Sequence, residues 1–251
     1  HKTVQKFRER FMRTGANIAL SNHFQNIESI LTSNYEIDTH NDKICLNNGV
    51  FCFKNFELIP HRKEFMFSKK LNINYNPYAD CPNFLKFLKE VFENKEEYID
   101  FFQKFIGLCL TGYTDKFQGV VFLYGTGSNG KSVFIRILEE FLAGYYTHIG
   151  SDIIVDRKGA FYNEEYLKAT LFGARIAIIS EIPANGRIKD NVLKDLTGGD
   201  TVQARHPHER VFHFKPTHKL LMYGNHKPYI PNTDEGVWRR MFLVNFGKVF
   251  K

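Results

Sequence analysis

Residues 125–132 read GTGSNGKS, directly after the apolar run VVFLY and directly before KSVFIRILEEFL. No other stretch limits the fold as tightly, because a glycine loop of the form GxxxxGK[ST] has its chemistry only where a buried strand runs in and a helix runs out. Glycines at 125, 127 and 130 permit backbone angles closed to other residues. The N–H groups from Gly125 through Thr126, Gly127, Ser128, Asn129 and Gly130 to the helix start can then converge on phosphate oxygens. Lys131 is placed to neutralise the outer phosphates, and Ser132 to offer a hydroxyl to Mg²⁺. The expected cofactors are therefore ATP and Mg²⁺.

Downstream of Asp115, short apolar runs alternate with helical patterns. After VVFLY and its helix come ARIAIIS, KLLMYGN and RMFLVNF, a rhythm that predicts a parallel sheet flanked by helices. Upstream the pattern differs. Residues 1–32 carry apolar side chains at helical spacing, NGVFCFKNFELIPH alternates as a small β-hairpin, and residues 82–110 predict two amphipathic helices broken near ENKEE. The boundary falls near residues 112–117, giving a mainly helical companion with a small β element over 1–114 and an α/β core over 115–251.

Two strand ends supply further polar groups. RIAIISE ends in Glu181, about where a P-loop protein needs an acid to polarise the attacking water and help hold Mg²⁺. KLLMYGN ends in Asn225, an amide able to orient that water or touch the terminal phosphate.

Formal net charge is +7, and twelve Lys and Arg against six Asp and Glu between Gly186 and Lys251 account for nearly all of it. A polyanionic partner is favoured. Within that stretch TVQAR and RVFHF flank HPH as a predicted hairpin. Its tip carries Arg205, His206, His208 and Arg210, suited to hold phosphates without reading sequence. The four cysteines form no metal-ligand spacing, and no apolar run is long enough to span a membrane. Reduced thiols and a cytoplasmic location are expected. The first residue is His, which predicts a piece of a longer protein.

The order of P-loop, RIAIISE, LKDLTGGDTVQAR, KLLMYGN and GVWRRMFLVNF resembles the superfamily 3 helicases of viruses, phages and plasmids. The likeness is to the poxvirus-type primase-helicase branch above all, and NGVF and YNPYADCPNFLKFL look like the domain preceding that motor. The resemblance implies an AAA+-like P-loop ATPase core working in replication as a hexameric ring on single-stranded DNA, with a primase or polymerase upstream. It implies that the 205–210 hairpin grips DNA and that Lys131, Glu181 and Asn225 serve the ATP site. Arg240 would reach the ATP of the neighbouring subunit, with Arg239 as the competing choice and Lys194 near the same interface. A P-loop nucleotide or polynucleotide kinase would share loop and sheet without needing the basic hairpin. A non-enzymatic DNA-binding module stays open, and a GTPase is disfavoured because DLTG at Asp195 follows no strand.

Overall fold

The computed structural model describes residues 37–156, 164–180, 182–183, 186–207, 209–230 and 235–250. The helix expected over residues 1–32, Glu181 and His208 lie outside the described residues. Of the described chain, residues 37–39 and 62–68 group as one unit. There the Ser68 amide donates to Asp38 Oδ1 at 2.8 Å beside a single 3-10 turn, Lys63–Phe65.

The other unit opens with an antiparallel meander of β1 (Lys43–Leu46), β2 (Gly49–Cys52) and β3 (Glu57–Ile59). Two of these strands form the expected hairpin, and β1 is an addition: KICL is too short for its alternation to be read. Ile44, Leu46 and Phe51 pack with Leu71 and Tyr145 in a small core. Two helices follow, α1 (Pro82–Val91) and α2 (Glu96–Cys109). Pro82 suits the first turn of α1, where no intrahelical N–H partner is lost.

Next come β4 (Val120–Tyr124), α3 (Lys131–Phe141), β5 (Tyr146–Ile149), β6 (Val155–Asp156), α4 (Glu164–Ala169) and β7 (Ile176–Ile179). The chain continues through β8 (Arg187–Ile188), α5 (Asp190–Gly198), β9 (Val202–Ala204), β10 (Phe212–Phe214), β11 (Lys219–Gly224), α6 (Glu235–Trp238) and β12 (Met241–Asn245). Five strands form one sheet in the order β12-β4-β11-β7-β5, and every neighbouring pair is parallel. All four strands expected after residue 115 are present. The fifth, β5, was not legible as YTHI, since an edge strand with three incompletely buried residues carries little apolar signal.

Both faces of the sheet are covered, which is why its strands read as continuous apolar runs. Val121, Leu123, Ile176, Ile178, Leu221 and Val244 face α1, α2 and α3 in one core. Val120, Phe122, Ala177, Ile179, Leu220 and Met222 face α5 and the β9–β10 pair in the other. The helices α1 and α2 thus share a hydrophobic core with the sheet, and Phe84 stacks on Phe134 of the helix that leaves the glycine loop.

Basic side chains are buried at the amino-terminal ends of β7 and β11. Lys219 Nζ donates to the Thr111 carbonyl at 2.6 Å, and Arg175 Nη2 to the His40 carbonyl at 2.8 Å. Burial pushes the Lys219 pKa down to about 7, and that of neighbouring His218 down to about 4. Burial likewise pushes the Cys109 thiol up to about 12.

Candidate nucleotide site and basic hairpin

Parallel strands place all their carboxyl ends at one edge, where ligands of open α/β sheets bind. The glycine loop leaves β4 at that edge and enters α3 through Gly130, whose φ of +83° is in the left-handed region. A side chain on Gly125 would have its Cβ 2.1 Å from Asn129 Nδ2 and 2.5 Å from the Phe246 carbonyl. Only glycine fits this approach of loop to backbone.

Asn129 ties the loop down. Its Nδ2 donates to the Phe246 carbonyl at 2.8 Å, while its Oδ1 accepts from Lys131 Nζ at 2.7 Å. Lys131 also donates to the Gly125 carbonyl at 2.7 Å, and burial lowers its pKa. The Phe250 amide adds a bond to the Ser128 carbonyl at 2.8 Å, so the segment after β12 straps the loop from below. Phe246 was not among the residues singled out from sequence; a carbonyl acting across 117 residues leaves no trace in a motif.

A cleft of about 800 Å³ opens beside the loop, lined by residues 127–133, Ile182, Pro183 and Tyr223–His226. That volume suits a nucleotide-sized ligand. Ser132 and Asn225 both line it, whereas Gly125 lies buried beneath the loop and Thr126 is exposed. The residues just after Glu181, Ile182 and Pro183, form part of the wall. Among the described residues no group of three or more His, Cys, Asp or Glu could hold a metal. A magnesium ion needs no such cage, because phosphate oxygens and water fill most of its shell, and the Ser132 hydroxyl fits that use.

The remaining candidates lie elsewhere. Arg240 is buried at the start of β12, its Nη1 donating to the Gly236 carbonyl at 2.6 Å and its own carbonyl accepting from the Val120 amide at 2.8 Å. Arg239 beside it is exposed. Lys194 is half-buried on α5. Asp195 lies on the same helix, away from any strand end.

The predicted hairpin is present as β9 paired antiparallel to β10, with Phe212 opposite Ala204 and Phe214 opposite Val202. Arg205 folds back onto α4, its Nε 3.2 Å from Glu165 Oε2 and its guanidinium 5.5 Å from the Tyr166 ring centroid. His206 and Arg210 are exposed. The hairpin sits by the opposite end of the sheet from the cleft: Phe172, four residues before β7 begins, packs edge-on against Phe212 and Phe214.

Fold and site together define a parallel α/β protein with a glycine-rich strand-to-helix loop at the carboxyl edge of its sheet and a hairpin beside the opposite edge. Comparison with known proteins carries this to a family. Residues 2–93 match the family described as D5 N terminal like, and residues 123–240 match a family of unknown function (DUF5906). Both regions, and the viral relatives that follow, support a likeness to the poxvirus-type primase-helicases. A helicase-named protein of Acanthamoeba polyphaga mimivirus is 30% identical over 64% of this chain and 16% of its own length. A helicase-named protein of Invertebrate iridescent virus 6 is 24% identical over 100% of this chain and 27% of its own. Primase D5 of Fowlpox virus is 24% identical over 88% and 29%, respectively. The chain thus spans less than a third of the length of these relatives. Among solved structures, the A form of the NrS-1 C-terminal region shares the fold with a TM-score of 0.55 at 15% identity, over 74% of this chain and 43% of that one. No helix among the described residues is long and apolar enough to cross a membrane.

Proposed function

We propose that the chain is the ATP-driven motor segment of a longer replication protein, a superfamily 3 helicase that moves on single-stranded DNA. The observation that carries this is the buried Lys131 ammonium, held beneath a glycine loop at the floor of a cleft whose far wall includes Asn225. A triphosphate seated there meets the loop amides, the amino-terminal end of α3 and a cation that burial has already stripped of water. Lys131 exchanges one of its two loop acceptors for a phosphate oxygen as the nucleotide enters. Ser132 would hold Mg²⁺, which when bound neutralises phosphate charge. Asn225 orients the attacking water, and Glu181 is assigned the role of its base.

The hairpin takes the DNA. Its arginines lie on the side of the sheet away from the cleft, so nucleotide and strand would occupy different ends of one rigid layer and a shift in α5 or β11 would connect them. Assembly into a hexameric ring, with Arg239 or Arg240 reaching a neighbour's ATP and Lys194 at the contact, completes the proposal. A primase or polymerase segment belongs upstream in the longer protein. A P-loop kinase would leave the hairpin without a role.

The test is ATP hydrolysis with and without single-stranded DNA. Stimulation by DNA, lost in Lys131→Ala, is expected; hydrolysis that persists in Lys131→Ala overturns the site, and hydrolysis indifferent to DNA overturns the motor.

A further inference from the structure

The hairpin carries an aromatic column as well as arginines. Phe212 and Phe214, two residues apart on β10, point to the same side of the strand. Their rings stack at 5.9 Å and 30°. His206, at the start of the turn, stacks in turn on Phe212 at 5.3 Å and 20°. Phe172 closes the side of the column, edge-on to both phenylalanines at 5.8 and 5.6 Å.

Exposure rises along the column. Phe214 is buried, Phe212 half-buried and His206 exposed. Among the described residues no other ring packs on His206. Phe172, itself 50% exposed, widens the apolar surface beside it. A stack that grows from the core and ends in a flat, solvent-facing ring is ready to take one more planar group. The surrounding charge selects which one: residues 201–215 hold Arg205, Arg210 and Lys215 against Glu209, and with Arg205 paired to Glu165 the balance left beside the column is that of Arg210 and Lys215 against Glu209. A planar group attached to a polyanion is a nucleobase of a single strand, since in a duplex the faces of the bases are already stacked.

We propose that His206 is a base-stacking residue: a nucleobase of single-stranded DNA lies on its outer face as the fourth layer above Phe214, Phe212 and the imidazole. Arg210 holds the phosphate alongside. This rests on the proposed meeting of hairpin and DNA, and it changes the part played by His206 from phosphate contact to stacking. The strand is then gripped through its bases as well as its backbone, without sequence preference, because every base offers a π-face.

Binding of a labelled oligodeoxythymidylate is compared with that of an abasic strand of equal length, and so of equal charge, across a salt series. The wild-type chain, His206→Ala, His206→Phe and Arg210→Ala are each measured. Stacking predicts that the wild-type chain binds the base-bearing strand about tenfold tighter than the abasic one. His206→Ala erases that preference with the salt slope unchanged, and His206→Phe keeps it. Arg210→Ala retains the preference but lowers the slope by about one. Equal binding of both strands by the wild type, or an intact preference in His206→Ala, overturns the stacking role while leaving the hairpin as a DNA site. Failure of the wild type to bind either strand overturns that DNA site and the stacking role together.

Discussion

Asn129 holds Lys131 with one end of its side-chain amide and the segment after β12 with the other, at 2.7 and 2.8 Å. The glycine loop is therefore built on a carbonyl from the far end of the core. Asn129→Ala gives Lys131 one fewer acceptor, which by itself would favour a phosphate. It also leaves the Phe246 carbonyl buried without this donor, at a cost of about 1–3 kcal/mol. Lys131 retains Gly125, so loosening of the loop decides the outcome. Urea unfolding should show a loss in that range, and calorimetric titration should show roughly tenfold weaker nucleotide binding. Tighter binding would mean that release of Lys131 dominates.

Arg239 and Arg240 are adjacent in sequence and differ in surroundings. Arg240 is buried and hydrogen-bonded to Gly236, so Arg240→Ala should lower stability by about 2 kcal/mol or more through lost packing and the loss of that hydrogen bond. Arg239 is exposed, and Arg239→Ala should leave the unfolding midpoint nearly unchanged. If the chain assembles with one subunit completing another's ATP site, Arg239→Ala subunits should lose hydrolysis while remaining folded. They should regain part of it when mixed with Lys131→Ala subunits. A folded Arg239→Ala protein with full activity would return the role to Arg240.

Much of this arrangement was legible in the chain because it is local. The strand, glycine loop and helix of residues 120–141 are one continuous signal, and burial on both faces turns ARIAIIS and KLLMYGN into unbroken apolar runs. The hairpin was legible from alternation, with turn residues between its arms. What escaped was set by tertiary contact. The strand YTHI gains its place by pairing with β7 rather than by its own pattern. The capture of Arg205 by Glu165 joins residues forty apart, and nothing in ARHPHER announces it. The preference for Arg240 over its neighbour came from family position, whereas burial distinguishes the two.

The ion pair between Arg205 and Glu165 tempers the hairpin. Part of the arginine's charge is already spent within the fold, and Gln203 Nε2 shares the same carboxylate at 2.8 Å. Glu165→Gln should free the guanidinium and tighten binding of single-stranded DNA about two- to fivefold at low salt, because a half-exposed pair is worth less than about 1 kcal/mol. The slope of affinity against salt should steepen toward one further phosphate contact. Fluorescence anisotropy across a salt series reads both. Weaker binding in Glu165→Gln would indicate that the pair orients Arg205 instead of restraining it.

Lys219, at the amino-terminal end of β11, makes folding sensitive to pH. Its folded pKa, about 7, lies well below the unfolded value of about 10.4. Between those values the unfolded chain binds a proton that the folded chain lacks, so the free energy of unfolding rises with pH, by up to about 1.4 kcal/mol per unit. Cys109 works in the opposite sense above about pH 8.5. Its buried thiol keeps a proton, up to about pH 12, that the unfolded thiol gives up. The climb therefore runs from about pH 7 to about pH 8.5. Lys219→Met keeps the aliphatic stem, removes the titrating group and leaves the Thr111 carbonyl without this donor, so its absolute stability can move either way. Its slope is the diagnostic: urea midpoints that climb between pH 7 and 8.5 in the wild type should stay nearly flat in Lys219→Met. An unchanged slope would mean that Lys219 keeps its proton in the fold, held by the carbonyls of Thr111 and Thr217.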